Sequence, residues 1–197
     1  RSPTAYLYNP LEERERYGNN TDHEMVLLRF ENEKGEGIGM LNWFSVHGTS
    51  MNNTNQLVSG DNKGYASYLF EKLKNAKDVL PGQGSFVAAF ASTNLGDVSP
   101  NTNGTYCMDT GLPCEPVHST CNGKNEMCVG RGPGTDMFES AKIIGERQYV
   151  KANEIYESAN KIVSGPVDFR HTFIDMSNLT FTRNNSTGPD DVVHTCP

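Results

Sequence analysis

The amino-acid sequence predicts an α/β fold in which a mixed sheet is flanked by helices, one of them long and amphipathic, beside a disulfide-stapled loop. Short apolar runs alternate with segments of helical periodicity, and this strand–helix–strand order is typical of mixed α/β domains. Four cysteines recur at equal spacing in a stretch rich in Gly, Pro, Asn and Thr. The 197 residues are 36 % hydrophobic and 21 % charged, which indicates a globular chain with a real core.

The charge and hydropathy patterns argue against two classes of protein. The net charge is −7, with acidic and basic residues interspersed and no basic stripe, which argues against a nucleic-acid-binding protein. No stretch approaches the ~20 apolar residues that a membrane-spanning helix needs. The sequence opens with RSPTAYLYNP and shows no signal peptide.

Two strands and a helix are predicted in the first half of the chain. MVLLRFEN (25–32) is apolar and strand-like, and IGMLNWFSV (38–46), after the turn NEKGEG, has the pattern of a buried strand. A polar loop follows, and a helix then begins at Asp61, which can cap it. The face of this helix predicted to be apolar carries Tyr65, Tyr68, Leu69 and Leu73.

The second half is predicted to contain a strand, a long helix and a further strand. SFVAAFA (85–91) is a short apolar strand after the break PGQG. Helical periodicity extends from Thr135 to about Val163, and the dipeptide GP at 165–166 ends it. The positions that recur on one face of this helix are Met137, Ala141, Ile144, Gln148, Ala152, Ile155, Ala159 and Ile162. The alternating segment VDFRHTFIDMSNLTF (167–181) is predicted to be a strand.

Two polar residues follow predicted strands just beyond the point where each strand ends. His47 comes directly after IGMLNWFSV, and Ser99 lies in the sharp turn NLGDVSPN (94–101) that follows SFVAAFA. Ligands bind at the carboxyl ends of the strands in open α/β sheets. We therefore predict that His47 and Ser99 face a common site.

Each candidate site residue has a functional and a structural interpretation. His47 is a candidate metal ligand or general base, or else a hydrogen-bonded histidine in a polar loop, and no HExxH motif accompanies it. Ser99 is a candidate nucleophile or substrate contact, or else a turn serine that caps its own backbone, and no GxSxG motif surrounds it. Asp97 is an orienting group or an Asx-turn residue, and Arg1 is a candidate contact for an anion or oxyanion. The pattern alone favours the structural interpretation of both His47 and Ser99.

The cysteines predict a cross-linked surface loop. Cys107, Cys114, Cys121 and Cys128 have six residues between neighbours, which differs from the CxxC pairs of structural zinc sites. We predict two disulfides, and three pairings of the four cysteines are open. Cys196 is left over.

The distribution of glycosylation sequons and cysteines predicts a cellular compartment. Sequons begin at Asn19, Asn52, Asn103, Asn178, Asn184 and Asn185. Together with paired cysteines they predict an oxidising secretory route, so that the protein is secreted or lies at the cell surface. The missing signal sequence and the odd cysteine lead us to expect an internal piece of a longer secreted protein.

Four segments of the chain resemble the neutral ceramidases. They are NWFSVHGTSMNNTN (42–55), SGDNKGYASYLFE (59–71), PGQGSFVAAFASTNLGDVSPN (81–101) and GPGTDMFESAKIIGERQYVKANEIY (132–156). The resemblance extends from Arg1 to Cys196. Neutral ceramidases are longer and have a zinc-dependent catalytic domain followed by an immunoglobulin-like domain. The resemblance implies that residues 1–197 are an internal segment of the catalytic domain, without its N-terminal part and without the C-terminal domain, and thus an incomplete domain.

The resemblance implies roles for three residues. His47 matches one of two histidines that hold the zinc ion, and Ser99 matches a serine that is essential for activity and is usually called the nucleophile. Arg1 opens an RSP segment that is similar to one near the active site of the family, which implies an oxyanion or substrate contact. The other zinc ligands, a second histidine, a glutamate and a tyrosine, are expected outside this chain.

The cysteine loop is similar to a pair of crossed disulfides in the same family. The pairs that the resemblance implies are Cys107 with Cys121, Cys114 with Cys128, and Cys196 with a cysteine outside the chain. A glycan on Asn52, five residues after His47, would block the metal site. The glycosylation candidates that remain are Asn19, Asn103, Asn178, Asn184 and Asn185.

The activity that the resemblance implies is zinc-dependent hydrolysis of the N-acyl amide bond of ceramide to sphingosine and free fatty acid. The implied partners are ceramide, a membrane or micellar lipid surface, and the rest of the catalytic domain. Because one histidine cannot hold a catalytic zinc, which needs about three protein ligands, we expect the isolated chain to be inactive. Two alternatives stay open: a metal-dependent amidase for another N-acyl lipid, and a secreted, non-catalytic lipid-binding module.

Overall fold

The computed structural model describes residues 6–182 and 192–194, and the chain divides into two units, Arg1–Asn160 and Lys161–Pro197. The first unit contains α1 (Leu11–Glu15), β1 (Val26–Glu31), β2 (Gly37–Trp43), α2 (Asp61–Lys74), β3 (Val87–Ala91), β4 (Thr105–Cys107), β5 (Cys128–Gly130) and α3 (Met137–Ser158). The second contains a 3₁₀ helix (Met176–Asn178), β6 (Thr180–Thr182) and β7 (Val192–His194). None of the helices in these described residues is long and apolar enough to cross a membrane.

The main sheet of the first unit is mixed, as predicted. Its strand order is β1-β2-β3, with β1 antiparallel to β2 and β2 parallel to β3. A parallel pair needs a crossover connection, and α2 lies in the connection between β2 and β3. Met40 pairs with Ala88 and Trp43 pairs with Ala91. The carboxyl ends of β2 and β3 therefore lie side by side.

The core lies between one face of this sheet and the helices α2 and α3. Its buried members are Met40, Phe70, Phe86, Ala88, Ala152 and Tyr156. The Phe70 ring stacks on Phe86 with 5.7 Å between ring centroids, and Tyr156 meets it edge-on at 5.5 Å. Full burial of a phenylalanine side chain contributes about 1.5–3 kcal/mol, so these rings fasten the crossover helix to the sheet.

The opposite face of the sheet is apolar and partly exposed. Four side chains on this face are 36 to 47 % exposed, namely Val26, Leu28, Phe30 and Val87. The strand register places Phe30, Gly39 and Val87 in one row across the sheet. Within the part of the chain that the structure describes, helices cover one face of the sheet and leave the other open.

Helix α2 begins at Asp61 as predicted, but its predicted packing face is wrong. The buried residues are Asn62, Ala66, Phe70 and Glu71. Tyr68 and Leu73 are instead 37 and 50 % exposed. Asn62 and Glu71 are buried with their side chains hydrogen-bonded to backbone groups. Hydrophobic periodicity does not identify buried polar residues such as these two. It therefore predicts a neighbouring face of the helix as the buried one.

Helix α3 is shorter than predicted, and its buried face is largely as predicted. It begins after Asp136, whose carboxylate accepts a capping hydrogen bond of 2.7 Å from the Glu139 amide. It ends at Ser158 because Ala159 is extended, with ψ 112°. The predicted positions that are buried are Ala141, Ile144, Gln148 and Ala152. Ile162 lies beyond the end of the helix and is exposed.

The predicted strand at 167–181 is wrong. Its backbone is irregular up to the 3₁₀ helix, and only Thr180–Thr182 forms a strand, paired antiparallel with Val192–His194. Phe169 and Phe173 are almost fully exposed. A strand is stabilised by its cross-strand neighbours, and alternation of apolar residues does not by itself provide a neighbouring strand.

The cysteine loop, residues 107–128, follows the main sheet along the chain. Strands β4 and β5 pair antiparallel at its base. Disulfides join Cys107 to Cys121 and Cys114 to Cys128, with Cα–Cα distances of 5.6 and 5.9 Å. This is the pairing that the resemblance implies. Both bonds join residues 14 positions apart, and closing a loop of this length stabilises a fold by about 3 kcal/mol.

Candidate active site

The chain continues beyond β2 and β3 as two adjacent parallel segments that carry His47 and Ser99. An isolated parallel bridge pairs Val46 with Val98. The His47 amide donates a hydrogen bond of 2.9 Å to the Val98 carbonyl oxygen. His47 is therefore held beside the residue that precedes Ser99, at the sheet edge where the sequence predicts a site.

The imidazole of His47 is half-buried and faces the turn that leads to Ser99. Its Nε2 atom lies 3.7 Å from the position that a Cβ atom on Gly96 would occupy. Gly96 has a φ of +106°, in the region that residues with side chains rarely adopt. Glycine therefore allows the turn to pass close to the ring. No hydrogen bond joins the imidazole to another residue within the described ranges, and an imidazole nitrogen with a free lone pair can bind a metal or accept a proton.

Ser99 lies in a turn with a fixed backbone. Its Oγ accepts a hydrogen bond of 3.1 Å from the Asn101 amide, and the intervening Pro100 is fully buried. This is the self-capping turn that the structural interpretation of Ser99 expects. The same bond occupies a lone pair of the hydroxyl and leaves its proton available for donation, so the geometry also suits a chemical role.

Ser99 lines a cavity of about 400 Å³ that the sequence analysis missed. The apolar side chains around it are Met25, Phe44, Val46, Val98, Ile144 and Ile155. Arg147, Gln148 and Lys151 of α3 add polar and charged groups. The lining comes from segments that are far apart in the chain, so no local sequence signal could have identified this cavity.

Asp97 anchors the Ser99 turn to the segment before β1. Its carboxylate accepts a hydrogen bond from the Asp22 amide. The Asp22 carboxylate in turn accepts hydrogen bonds from Asn94 Nδ2 at 2.7 Å and from Thr93 Oγ1 at 3.3 Å. A second cavity of about 610 Å³, with a largely polar lining, lies beside these contacts. Asp97 thus bonds a segment distant in the chain, and its contact there is structural.

Lys63 of α2 joins the ends of the two parallel strands, and the sequence analysis missed it. Its Nζ donates hydrogen bonds to the Phe44 carbonyl oxygen at 2.9 Å and to the Ala91 carbonyl oxygen at 3.0 Å. Burial disfavours the charged ammonium and lowers the pKa of Lys63 from 10.5 to about 8. Lys63 gives no sequence signal because its partners are backbone groups that only the folded sheet brings together.

The side chains at this edge of the sheet can supply one ligand to a metal ion. The His47 imidazole is a suitable zinc ligand, whereas a catalytic zinc needs about three protein ligands. Among the described residues, one group of three such ligand atoms lies within 4.8 Å of one another, at Cys107, Cys114 and Cys121. All three sulfurs are in disulfides and therefore lack the thiolate form that binds a metal.

Some predicted residues lie outside the described part of the chain. They are Arg1, Cys196, Asn184 and Asn185, and their roles stay predictions. Of the other glycosylation candidates, Asn19 and Asn103 are exposed, and Asn178 lies in the 3₁₀ helix. Asn52 is also exposed, and its Oδ1 accepts a hydrogen bond of 3.0 Å from the Thr54 amide.

Comparison with known sequences shows extensive similarity to ceramidases. A family model described as neutral/alkaline non-lysosomal ceramidase, N-terminal, matches residues 1–197. Neutral ceramidase B of Dictyostelium discoideum is 50 % identical over 198 residues, which cover 100 % of this chain and 27 % of that protein. The neutral ceramidase of Oryza sativa is 39 % identical over 264 residues, which cover 100 % of this chain and 34 % of that protein. The chain thus spans about a quarter to a third of the length of these relatives.

Two solved structures are similar to this chain in both fold and sequence. A ceramidase complexed with C2 matches with a TM-score of 0.64 and 36 % identity, covering 89 % of this chain and 23 % of that one. Neutral ceramidase from Pseudomonas aeruginosa matches with a TM-score of 0.58 and 35 % identity, covering 87 % of this chain and 24 % of that one. These matches support the mixed α/β fold described above.

Proposed function

The chain belongs to the neutral/alkaline non-lysosomal ceramidase family, and we propose that it contributes His47 and Ser99 to the zinc-dependent hydrolysis of the amide bond of ceramide. The products are sphingosine and a free fatty acid. We further propose that residues 1–197 act as an internal segment of a longer catalytic polypeptide, because they correspond to a quarter to a third of the relatives' length. The observation that carries the proposal is the parallel pairing of Val46 with Val98, which supports a shared site for the two side chains.

His47 is proposed to supply one ligand to the metal, with the remaining ligands in other parts of the longer polypeptide. A bound zinc ion would polarise the amide carbonyl as a Lewis acid and lower the pKa of a coordinated water to about 7. The contribution of this chain is to hold the imidazole in place. The His47 amide, bonded to Val98, and the close approach of Gly96 both restrict where the ring can lie.

Ser99 is proposed to act on the substrate from the neighbouring turn. As a nucleophile, its Oγ forms a bond to the amide carbon and gives its proton to a base. The C–N bond then breaks, the nitrogen leaves with a proton as the sphingosine amine, and water releases the fatty acid from the acyl serine. The Asn101 amide already donates to Oγ and so stabilises negative charge on that atom. In the other role, Ser99 binds a substrate hydroxyl while water attacks the carbonyl carbon.

The cavity beside Ser99 supports a lipid substrate. Its volume of about 400 Å³ lies in the range of ~300–1,000 Å³ that is typical of ligand pockets. Its apolar lining suits one of the hydrocarbon chains of ceramide. The same cavity also supports the second candidate function, a non-catalytic lipid-binding module, and an amidase for another N-acyl lipid would use it in the same way.

We also propose a role for Arg1, a cellular location for the protein and a lipid surface on which it acts. Arg1 is proposed as an oxyanion or substrate contact, on the strength of the resemblance alone. Two disulfides and the exposed sequons at Asn19 and Asn103 support a secreted or cell-surface protein. Ceramide is insoluble as a monomer, so the substrate is expected at a membrane or micellar surface.

The test of this function is fatty-acid release from ceramide by a complete ceramidase polypeptide that contains this chain. Ser99→Ala should lower kcat by roughly 10⁴-fold or more, since loss of a catalytic serine costs about 10⁶ in a well-studied hydrolase. His47→Ala should lose both turnover and bound zinc. Matched controls are Ser85→Ala, an exposed serine at the other end of β3, and His118→Ala, an exposed histidine in the cysteine loop.

Each outcome of this test selects one function. A Ser99→Ala variant that retains kcat within a few-fold would make Ser99 a substrate contact. A complete protein that binds ceramide without cleaving it would favour the lipid-binding module. A panel of other N-acyl lipids separates the ceramidase from the broader amidase. The 197-residue chain alone should show no turnover and only weak zinc binding, because His47 is a single ligand.

A further inference from the structure

Helix α2 begins at the edge of the candidate site, and its first residue bonds the loop that follows His47. The Asp61 carboxylate accepts hydrogen bonds from the Ser50 amide at 3.0 Å and from the Met51 amide at 2.8 Å. The predicted helix cap at Asp61 is wrong, because Gly60 occupies the N-cap position and Asp61 is the first residue of the helix. Asp61 has a φ of +53°, an unfavourable conformation for a residue with a side chain. Such a conformation persists where the surrounding contacts over-determine it.

The next residue, Asn62, bonds the backbone of His47 itself. Its side chain is fully buried, and its Nδ2 donates to the His47 carbonyl oxygen at 2.8 Å and to Ser50 Oγ at 3.0 Å. Its Oδ1 accepts a hydrogen bond of 2.9 Å from Gln148 Nε2 of α3. Asn62 thus links the carbonyl group of the proposed metal ligand to the long helix through a fully bonded amide.

The third residue, Lys63, bonds both parallel strands where they end. Besides the carbonyl oxygens of Phe44 and Ala91, its Nζ donates to Gln148 Oε1 at 3.3 Å. None of its partners among the described residues is a carboxylate. A half-buried ammonium without an opposite charge is costly in stability, and a methionine would fill the same volume without this cost. A residue that costs stability at the edge of a site is a candidate for a role in that site.

We propose that Asp61, Asn62 and Lys63, here called the DNK clamp, are positioning residues that fix the loop of His47 and the strand end leading to Ser99 relative to each other. The proposal rests on the proposed function insofar as it concerns catalysis. Asp61 and Asn62 hold the His47 side of the site, and Lys63 holds the junction of the two strands. Neither group needs to touch substrate, because a misplacement of reacting groups by about 1 Å can cost ~10²-fold in rate.

The two parts of the clamp have separable consequences. Loss of the Asn62 donor removes a hydrogen bond to the main-chain carbonyl group of His47. The imidazole of His47 is then held less firmly, so this change should mainly lower the affinity for zinc. Groups that orient metal ligands typically contribute about 10–100-fold to metal affinity or activity. Loss of Lys63 loosens the junction between the strands, so it should act mainly on kcat.

The experiment compares variants in a complete ceramidase polypeptide that contains this chain. Asn62→Asp keeps the size of the side chain and removes the donor to His47, whereas Lys63→Met removes three donors and keeps the volume. Lys63→Arg restores a cation and serves as the conservative rescue. The matched controls are Asn53→Asp, in the exposed loop after His47, and Lys72→Met, on the exposed side of α2.

Three readouts are measured for each variant: zinc affinity by chelator competition, kcat and KM for ceramide in mixed micelles, and hydrogen exchange of the His47 amide. Asn62→Asp should weaken zinc binding roughly 10–100-fold. Lys63→Met should lower kcat about 10²-fold with little change in KM, and Lys63→Arg should recover part of it. Both Asn62→Asp and Lys63→Met should speed exchange at the His47 amide, and the controls should change none of the three quantities.

The outcomes separate the clamp from the proposed function. A wild-type protein that does not hydrolyse ceramide overturns the proposed function, yet the exchange rate at His47 can be measured without ceramide on the metal-free protein and still tests the clamp. Variants with wild-type exchange at His47, wild-type zinc affinity and wild-type kcat overturn the clamp, even if their melting temperature falls. If Asn62→Asp does not fold, Lys63→Met and Lys63→Arg decide the proposal by the same readouts.

Discussion

Hydrogen bonds hold the candidate site together, whereas disulfides hold the cysteine loop together. The site is fixed by hydrogen bonds from α2 and by the pairing of Val46 with Val98, all of which connect distant parts of the chain. The cysteine loop is fixed by two covalent bonds between residues 14 positions apart. A single hydrogen bond contributes only about 0.5–1.5 kcal/mol, so the geometry of the site depends on the packing of the whole first unit. The geometry of the loop depends on its own cross-links.

The largest expected effect comes from removing the Phe70 ring from the core of the first unit. Phe70→Ala should lower the free energy of unfolding by about 3–5 kcal/mol, because the fully buried ring contacts both the sheet and α3. Denaturation of the chain by urea, followed through the fluorescence of its single tryptophan, Trp43, measures this change. Phe138→Ala, at an exposed position of α3, is the control. A loss below ~1 kcal/mol would show that this ring does not hold α2 on the sheet.

Removing a cross-link should destabilise the loop and spare the site. The double variant Cys107→Ser/Cys121→Ser should lose about 3 kcal/mol of unfolding free energy, and Cys114→Ser/Cys128→Ser should lose a similar amount, since the closed loops have the same length. In a complete ceramidase, both variants should keep the zinc affinity and kcat of the wild type while folded. A folded variant with reduced zinc content would contradict the independence of the two regions.

A smaller change at the site should affect both stability and the metal. Gly96→Ala forces a side chain into a φ of +106°, which costs about 1–2 kcal/mol, and places a methyl group near His47 Nε2. Gly104→Ala is the matched control, because Gly104 also has a positive φ and has open space around its Cβ position. Both variants should be destabilised, and only Gly96→Ala should bind zinc more weakly in the complete protein. Equal zinc affinities would separate Gly96 from the function of His47.

The last expected effect is a dependence of stability on pH through Lys63. Its pKa is about 8 in the folded chain against 10.5 as the ordinary value. Between these two pH values the unfolded chain binds more protons at this position, so the free energy of unfolding should rise with pH across that window. Urea denaturation at several pH values should show that Lys63→Met lacks this rise relative to the wild type. Parallel curves for the two proteins would show that Lys63 titrates as an exposed lysine.

The sequence predicted those features that depend on neighbouring residues. The strands around Leu28, Met40 and Ala88 follow from short apolar runs, and the placement of His47 at a strand end follows from their order. The site also contains features that depend on tertiary packing. Lys63 bonds carbonyl groups of two separate strands, and the cavity beside Ser99 receives Ile144 and Ile155 from α3. Neither arrangement leaves a local pattern in the sequence.

Two predictions failed because a hydrophobic pattern does not specify its partner. The hydrophobic pattern predicts that Tyr68 and Leu73 lie on the packed face of α2, but the buried side includes Asn62 and Glu71, whose polar atoms are bonded within the fold. The segment 167–181 alternates as a strand would, yet most of it has no paired strand among the described residues. To predict the packed face of α2 and the structure of 167–181 correctly, one must know which residues pack against or pair with each segment.

The crossover between β2 and β3 also determines an order of assembly during synthesis. Ribosomes add about 5–20 residues per second, and β2, α2 and β3 all precede Cys107 in the chain. The segments that carry His47, the DNK clamp and Ser99 are therefore translated before the first cysteine of the loop. Nothing in their mutual contacts involves a sulfur atom. Helix α3, which bonds Asn62 and Lys63 through Gln148, is translated after the loop. The nascent chain can thus pair the segments of His47 and Ser99 before the cysteines are made, and the clamp is completed once α3 has followed them.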